Sequence, residues 1–506
     1  MVKRYLYKLV MFVGMYSCCI SCNGYLEEMP QNKLKPTTTD DFDQLLAKAY
    51  ITKPVLPYLE LMTDNIVYDQ ANRISWAANT ADAYLGAFMW NDAIETTMGE
   101  GDMAFETFYN SIYNTNVVIE NIDDATSVVL DESVAATTRG NIKGEAYALR
   151  AFDYFYLVNL YAPYYDPATS ATTPGIPINL RTEAEDKAYT RESLEKVYEQ
   201  IVSDLKEGIR LMEEYPVANK SKMKFSPLAA KALLARVYLY MQEWDLAIEQ
   251  AESVIKENPA IFDLRAYGEN PEIYSDKVVS WSKAVYGVSC LNMKNENVLF
   301  VTGMNEYFRI LGTNNYLTSF AVNESLQNSY DPGDVRKYYF MRRIVIGDAG
   351  QSRILSVKNG YFREILDAEY NLVISAEYGF VRVLRTEEMY LILAEAYAHK
   401  ADGLSTAVHY LNTLREYKFR VGDYKALNET DYNQQTLLEK IALERRLEFC
   451  FEEHRWFDLR RTTRPEMTHT GLDNAQGKLQ KDDPRYVLQI PKKELNVNPE
   501  IGANPR

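Results

Sequence analysis

The sequence predicts a mainly α protein, a scaffold of paired helices with a loop-rich insertion carrying short strands. Three observations lead there. Several stretches free of Gly and Pro place apolar residues at helical spacing. Small residues recur in them where two helices would cross. Residues 262–385 change character: Gly, Asn, Ser and Asp become frequent, helical periodicity fades, and only short β-like runs remain. A chain of 506 residues, 47% hydrophobic and 25% charged, is long and apolar enough to bury such a scaffold.

The chain begins with Lys3, Arg4 and Lys8, followed by an apolar stretch over 9–20. That is the pattern of a secretory signal covering residues 1–21. It ends in Cys19-Ile20-Ser21-Cys22, where a small residue before Cys22 resembles a bacterial lipobox. Cys22 is the expected lipidation site; Cys18 competes, with Tyr16 and Ser17 before it. No run of about 18 apolar residues exists to span a bilayer, so lipid would anchor the protein to a membrane rather than thread it through. Residues 22–38 are polar and contain Pro, and are expected to be a tether.

Residues 39–261 form the expected N-terminal helical part. A helix over 39–50 opens with Asp40 and Asp41 in its first turn, and Pro54 and Pro57 break the chain after it. Residues 58–100 are irregular. An aromatic-rich helix is expected over 102–122, and another over 141–161, where Ala148, Ala151 and Phe155 share a stripe before Pro163. Residues 162–189 form a loop. In 228–261, Leu234, Ala235, Tyr238, Trp244, Ala247 and Pro259 stand at the spacing of a 34-residue tetratricopeptide-like unit. A second pair, over 386–417, uses Ala394, Tyr397 and Ala407, with Gly403 at its turn; a third joins 141–161 to 191–215. In the insertion, β-like runs fall at 297–302, 343–347 and 377–384. Residues 386–506 hold the C-terminal pair, a long helix and a tail over 485–506 that reads as extended.

The long helix, expected over 437–461, is apolar on two sides, so its charges need partners. Helical spacing offers Arg445 to Glu448 and Glu452 to Arg455. Glu444, Glu448 and Glu452 run four apart, a like-charge column that requires arginine from elsewhere. So many charges could mark a ligand site; an ion-paired core helix accounts for them better.

The segment ERRLEFCFEEHRWFDLRR (444–461) closely resembles the C-terminal signature of the SusD/RagB family, with Glu453 where the family has Gly before the HR pair. On a continuous helix that departure is tolerable. The start after Cys22 (Tyr25-Leu26-Glu27, Pro30), the phrase Gly144-Glu145-Ala146 to Leu149-Arg150-Ala151, and the ending RYVLQIPKKELNVNPEIGANPR also resemble the family. The resemblance implies an outer-membrane lipoprotein, facing outward, that binds an oligosaccharide (or, in some members, a peptide) for a SusC-like TonB-dependent transporter. It implies polysaccharide utilisation and no covalent chemistry.

Chemistry of other kinds finds little support. The four histidines, His399, His409, His454 and His469, do not stand at metal-ligand spacing, and no G-x-S-x-G or phosphate loop occurs. No catalytic residue, metal or cofactor is therefore expected beyond the lipid on Cys22. The Asp331–Asp334 region lacks EF-hand spacing, so structural calcium is not indicated. A net charge of −16 argues against nucleic acid. Cys290 and Cys450 could pair in an exported protein. Sugars stack on Trp and Tyr and bond to planar polar groups, which makes Trp76, Tyr84, Trp90, Asn91, Trp281 and Tyr286 the candidate ligand residues; each could instead plug a small core under its loop. Two other functions stay open: a glycan hydrolase using paired carboxylates, and an adaptor of the transporter that binds no small ligand.

Overall fold

The computed structural model describes residues 36–52, 55–70, 84–91, 103–127, 131–183, 188–218, 220–270, 274–278, 289–304, 319–346, 351–358 and 380–506. The main helices are α1 (Thr39–Ala49), α2 (Ala104–Asn121), α3 (Glu132–Tyr161), α4 (Leu194–Glu214), α5 (Pro227–Met241), α6 (Trp244–Glu257), α7 (Thr386–Ala398), α8 (Leu404–Glu416), α9 (Gln434–Phe449) and α10 (His454–Arg461). The strands are short and lie in two-stranded antiparallel sheets. The fold is mainly α, as the sequence predicts.

Local signals set most helix starts. Thr38 caps α1 and exchanges hydrogen bonds with Asp41 in a capping box. Ser193 and Ser226 cap α4 and α5, and Pro227 occupies the first turn of α5. One start differs from expectation: α3 begins at Glu132, nine residues before 141, because Asp131 accepts a hydrogen bond from the Val134 amide. Helix α3 crosses α4 at two glycines. A Cβ on Gly144 would lie 2.8 Å from the Gly208 carbonyl oxygen, and one on Gly208 2.7 Å from that of Gly144. Only glycine permits so close a crossing. In the expected pairs α5–α6 and α7–α8, Ala235, Ala247, Ala394 and Ala407 are fully buried at the helix contacts.

Most of the helical pairs share one core that extends from Phe42 to Ile501, while α8 and α9 pack with one side of α7 in a separate, smaller core. A second core joins the insertion to both flanking regions. It contains Leu61, Ile66 and Phe88, then Val301, Phe320 and Met341, and finally Leu447, Cys450 and Phe451. Strand pairing makes the same links. Strand β1 (Ile66–Tyr68) pairs with β3 (Phe320–Val322), and β2 (Val298–Met304) with β6 (Phe380–Arg385). Strands β4 (Met341–Ile346) and β5 (Gln351–Ser356) form a hairpin. Three of these strands overlie the expected β-like runs; a further hairpin, β7 (Met467–Thr470) with β8 (Gln476–Leu479), is not signalled in the sequence.

Two expectations are corrected. The helix over 437–461 is broken: Phe451 (φ 65°) and Glu453 (φ 62°) are left-handed and separate α9 from α10. Breaking a helix orphans carbonyls. Here they meet buried cations. Lys358 Nζ donates to the carbonyls of Glu448 and Cys450, and Arg385 donates to that of Glu448 at 3.0 Å. Glu453 thus occupies a backbone position that favours glycine, so its replacement of Gly falls at a joint and not on a helix. The tail is also not wholly extended. It packs on the body and includes a helix over Lys492–Val497 and a 3-10 turn at Pro499–Ile501. Arg191 clamps it by donating to the carbonyls of Ile501 and Gly502 and to Asn504.

Candidate functional site

The acidic column of α9 does receive its arginines from elsewhere. Arg336 donates to Glu444 and, at 2.9 Å, to Glu448; Arg385 binds Glu448 at 2.7 Å and Glu452 at 2.9 Å; Arg415 binds Glu444 at 2.7 Å. Lys358 adds a bond to Glu452 at 2.5 Å, and Lys418 reaches Glu387 at 3.3 Å. Asp334 holds Arg336 at 2.7 Å. Five carboxylates therefore face five cations, all of them buried. Burial alone would raise Glu448, but Lys418, Arg385 and Arg336 outweigh it and hold the carboxyl well below the usual range. Glu444 is lowered against the same burial cost by Arg336 and Arg415.

The partners within α9 and α10 differ from those that helical spacing offers. Arg445 turns from Glu448 to Asp458 across the joint, at 3.1 Å. Asp458 also holds Arg461, which grips Glu395 on α7; Arg236 on α5 binds Glu388 on α7 at 2.6 Å. Arg455 does not meet Glu452, because the joint lies between them. It forms a two-pronged bond to Asp64 at 2.8 Å, with Arg446 on the same carboxylate at 3.3 Å. His454 is buried against Phe449, and burial, Arg236 and Arg445 push its pKa well down. Most of these side chains are buried, so the network is a structural one. It ties α5, α7, α8, α9, α10 and the insertion into one body.

The candidate ligand residues are placed unevenly. Cys22, Trp76, Trp281 and Tyr286 lie outside the described residues. Trp90 is buried, with 1% of its surface exposed. Its indole N–H donates to the Met62 carbonyl at 3.0 Å and its ring stacks on His469 at 4.1 Å. The other face of His469 stacks on Phe88 at 4.1 Å, and the imidazole nitrogens meet the carbonyl oxygens of Phe88 and Thr63. So Trp90 is a core residue that fixes the turn around it. Tyr84 is half-buried and packs against both large cores, while Asn91, directly after Trp90, is exposed. The segment 84–91 is therefore seated on the cores through Tyr84 and Trp90, and only its Asn91 end faces outward.

Sequence reasoning missed the groups that do the anchoring. Arg336, Lys358 and Arg385 lie 108, 94 and 67 residues from their acids, beyond any local pattern. His469, beside Trp90 in space, is 379 residues away in the chain. Among the described residues no group of three or more His, Cys, Asp or Glu could hold a metal ion, and no helix is long and apolar enough to cross a membrane. Asp331 binds Arg415 and Lys440, which gives the Asp331–Asp334 region a structural role. Cys290 and Cys450 are free thiols; burial pushes them up to about 12 and about 11.

Known proteins resemble the chain along nearly its whole length. A SusD-like family model, described as starch-binding associating with outer membrane, matches residues 24–239, and the SusD family model matches residues 374–506. The SusD-like protein P2 of Formosa agariphila is 28% identical over 392 residues, 72% of this chain and 73% of that protein. The SusD-like protein P25 of the same organism is 23% identical over 499 residues, 89% of each. A SusD superfamily crystal structure from Bacteroides vulgatus superposes with a TM-score of 0.68 at 20% identity, covering 93% of this chain and 99% of that one. A SusD-like carbohydrate binding protein from that organism gives 0.63 at 20%, covering 92% and 98%. At such identities the structural likeness establishes the fold.

Proposed function

The chain belongs to the SusD/RagB family, and from that premise we propose that it is a cell-surface lipoprotein that binds carbohydrate in nutrient uptake. The observation that carries this reading is the match of SusD models to both ends of the chain, with a single scaffold core joining the two ends. On this reading Cys22 carries the lipid and residues 23–38 tether the body to the outer membrane. The ligand is an oligosaccharide, handed to a SusC-like TonB-dependent transporter without covalent change. The segments around Tyr84 and Asn91, together with those holding Trp76, Trp281 and Tyr286, are the proposed ligand face. The helical pairs supply the face toward the transporter.

The geometry supports a binder in one further respect. The most conspicuous carboxylates, Glu444, Glu448 and Glu452, are sealed inside ion pairs and so cannot approach a glycosidic bond. The test is calorimetric binding of the chain from residue 23 onward against a panel of polysaccharides, with the incubations checked for shortened products. Binding without cleavage is expected. Cleavage would transfer the reading to a paired-carboxylate hydrolase. Binding of peptides alone would change the nutrient class, and failure to bind either, with intact binding to the transporter, would favour an adaptor.

A further inference from the structure

His469, on β7 and only 6% exposed, joins stretches that are far apart in the chain. Its ring lies between those of Phe88 and Trp90, 4.1 Å from each and within 11° and 21° of parallel. Nδ1 stands 2.7 Å from the Phe88 carbonyl oxygen, and Nε2 stands 3.1 Å from that of Thr63, in the turn before β1. The hairpin that carries His469 sits close on the same segment. A Cβ on Gly471 would lie 2.9 Å from Met89 Sδ, and one on Gly477 3.1 Å from Met89 Cα.

Both oxygens belong to backbone carbonyls, which accept hydrogen bonds and never donate them. A neutral imidazole carries one N–H. It could serve one carbonyl and would aim the lone pair of its other nitrogen at the second. Turning the ring over forfeits both bonds, because two C–H groups would then face the carbonyls. Two N–H donors, and hence a positive charge, satisfy both. The 2.7 Å separation is that of a charge-assisted bond, and the aromatic faces on either side are the negative ones. Burial opposes the charge and pushes the His469 pKa down, while the two carbonyls and Asp64 pull it up. Segment 84–91 brings no charged residue to the ring. The turn before β1 brings Glu60 and Asp64, the latter held by Arg455 and Arg446. From β1 comes Tyr68, whose ring meets that of Phe88 at 6.4 Å, and beside the hairpin Lys478 and Glu466 pair with each other at 3.1 Å.

We infer that His469 is a positioning residue held as an imidazolium: it donates through both ring nitrogens, to Phe88 and to Thr63, and so fixes segment 84–91 against the turn that precedes β1. A neutral ring would hold one side only. The second bond therefore belongs to the charged form, and the charge keeps its place because two carbonyls and two aromatic faces stand in for water around it. Through Phe88 and Trp90 the clamp sets the position of the exposed Asn91 that follows them. Its bearing on carbohydrate rests on the reading of this segment as part of the ligand face.

Nitrogen NMR of the full chain, with isotope-labelled histidine and no ligand, tests this directly. At about pH 7 each ring nitrogen of His469 is expected to carry a directly coupled proton, in a pair of signals that disappears in H469N. A buried histidine with a merely structural role would show one protonated nitrogen and one bare one, and that result would overturn the proposal. Hydrogen exchange of the amides over 84–91 should quicken in H469Q, whose side-chain donors sit on a single atom; an unchanged rate would overturn the clamp. If either variant fails to fold, the native protein decides, with the ring identified by its through-space contacts to the Trp90 indole. Neither readout involves carbohydrate. Failure of segment 84–91 to bind ligand would therefore leave both results as they are and count against the ligand face alone.

Discussion

Arg445 and Asp458 meet at 3.1 Å across the joint that divides α9 from α10. The pair turns two helix ends into a corner. It joins through Asp458 to Arg461, and through Arg461 to Glu395 on α7. Both residues are deeply buried, so removing one leaves the other desolvated.

Arg445→Ala is therefore expected to destabilise the protein by about 3 kcal/mol, the usual cost of breaking a buried pair by removing one member. Chemical denaturation would measure it. An unchanged midpoint would mean that Arg461 alone satisfies Asp458.

Acid should unfold the protein through the same networks. Burial tends to raise Glu444, Glu448 and Asp458, but their cationic neighbours bring all three below their ordinary values. Depressed carboxyls contribute stability that is present above the unfolded pKa and lost as pH falls through the folded one. Stability should thus decline below about pH 4.5. In Glu448→Gln the decline should be shallower, though the starting stability is lower; denaturant melts across an acid series would show it.

Glu453→Gly should stabilise the protein by about 1 kcal/mol, since a non-glycine residue in the left-handed region costs about that much. It also removes a buried carboxyl that lies 3.7 Å from its nearest cation. The gain should be larger above pH 7 than below it, because burial pushes Glu453 up to about 7. Equal melting temperatures for the two proteins across pH would refute both parts.

Trp90→Ala and Asn91→Ala should separate packing from ligand contact. Trp90 is sandwiched in a core with His469, and its loss should cost about 3 kcal/mol or more. Asn91 is exposed, so its replacement should leave the melting temperature within about 1 °C. If Asn91 borders the ligand, only affinity will change. A large stability loss from Asn91→Ala would contradict its surface position.

Cys22→Ala should release the protein from membranes into the soluble fraction. Membrane association that persists in cells lacking the transporter would remove the lipid assignment.

The sequence alone determined the helical pairs, because their signals are local. Small residues at 235, 247, 394 and 407, caps at 38, 193 and 226, and the 3.6-residue period all act within one or two turns of chain. It also determined that the acids at 444, 448 and 452 must be neutralised from outside, since four-residue spacing puts like charges on one face. Tertiary structure alone decided by which cations. Arg336, Lys358 and Arg385 arrive from a short helix, a turn and a strand of the insertion, and long-range pairing leaves no periodic trace. It also decided the break at 450–453. No Gly or Pro marks that point; the helix ends because buried Lys358 and Arg385 bind the carbonyls it releases. Trp90 was ambiguous for the same reason. A tryptophan in an irregular segment reads alike whether it faces ligand or core, until a distant histidine stacks upon it.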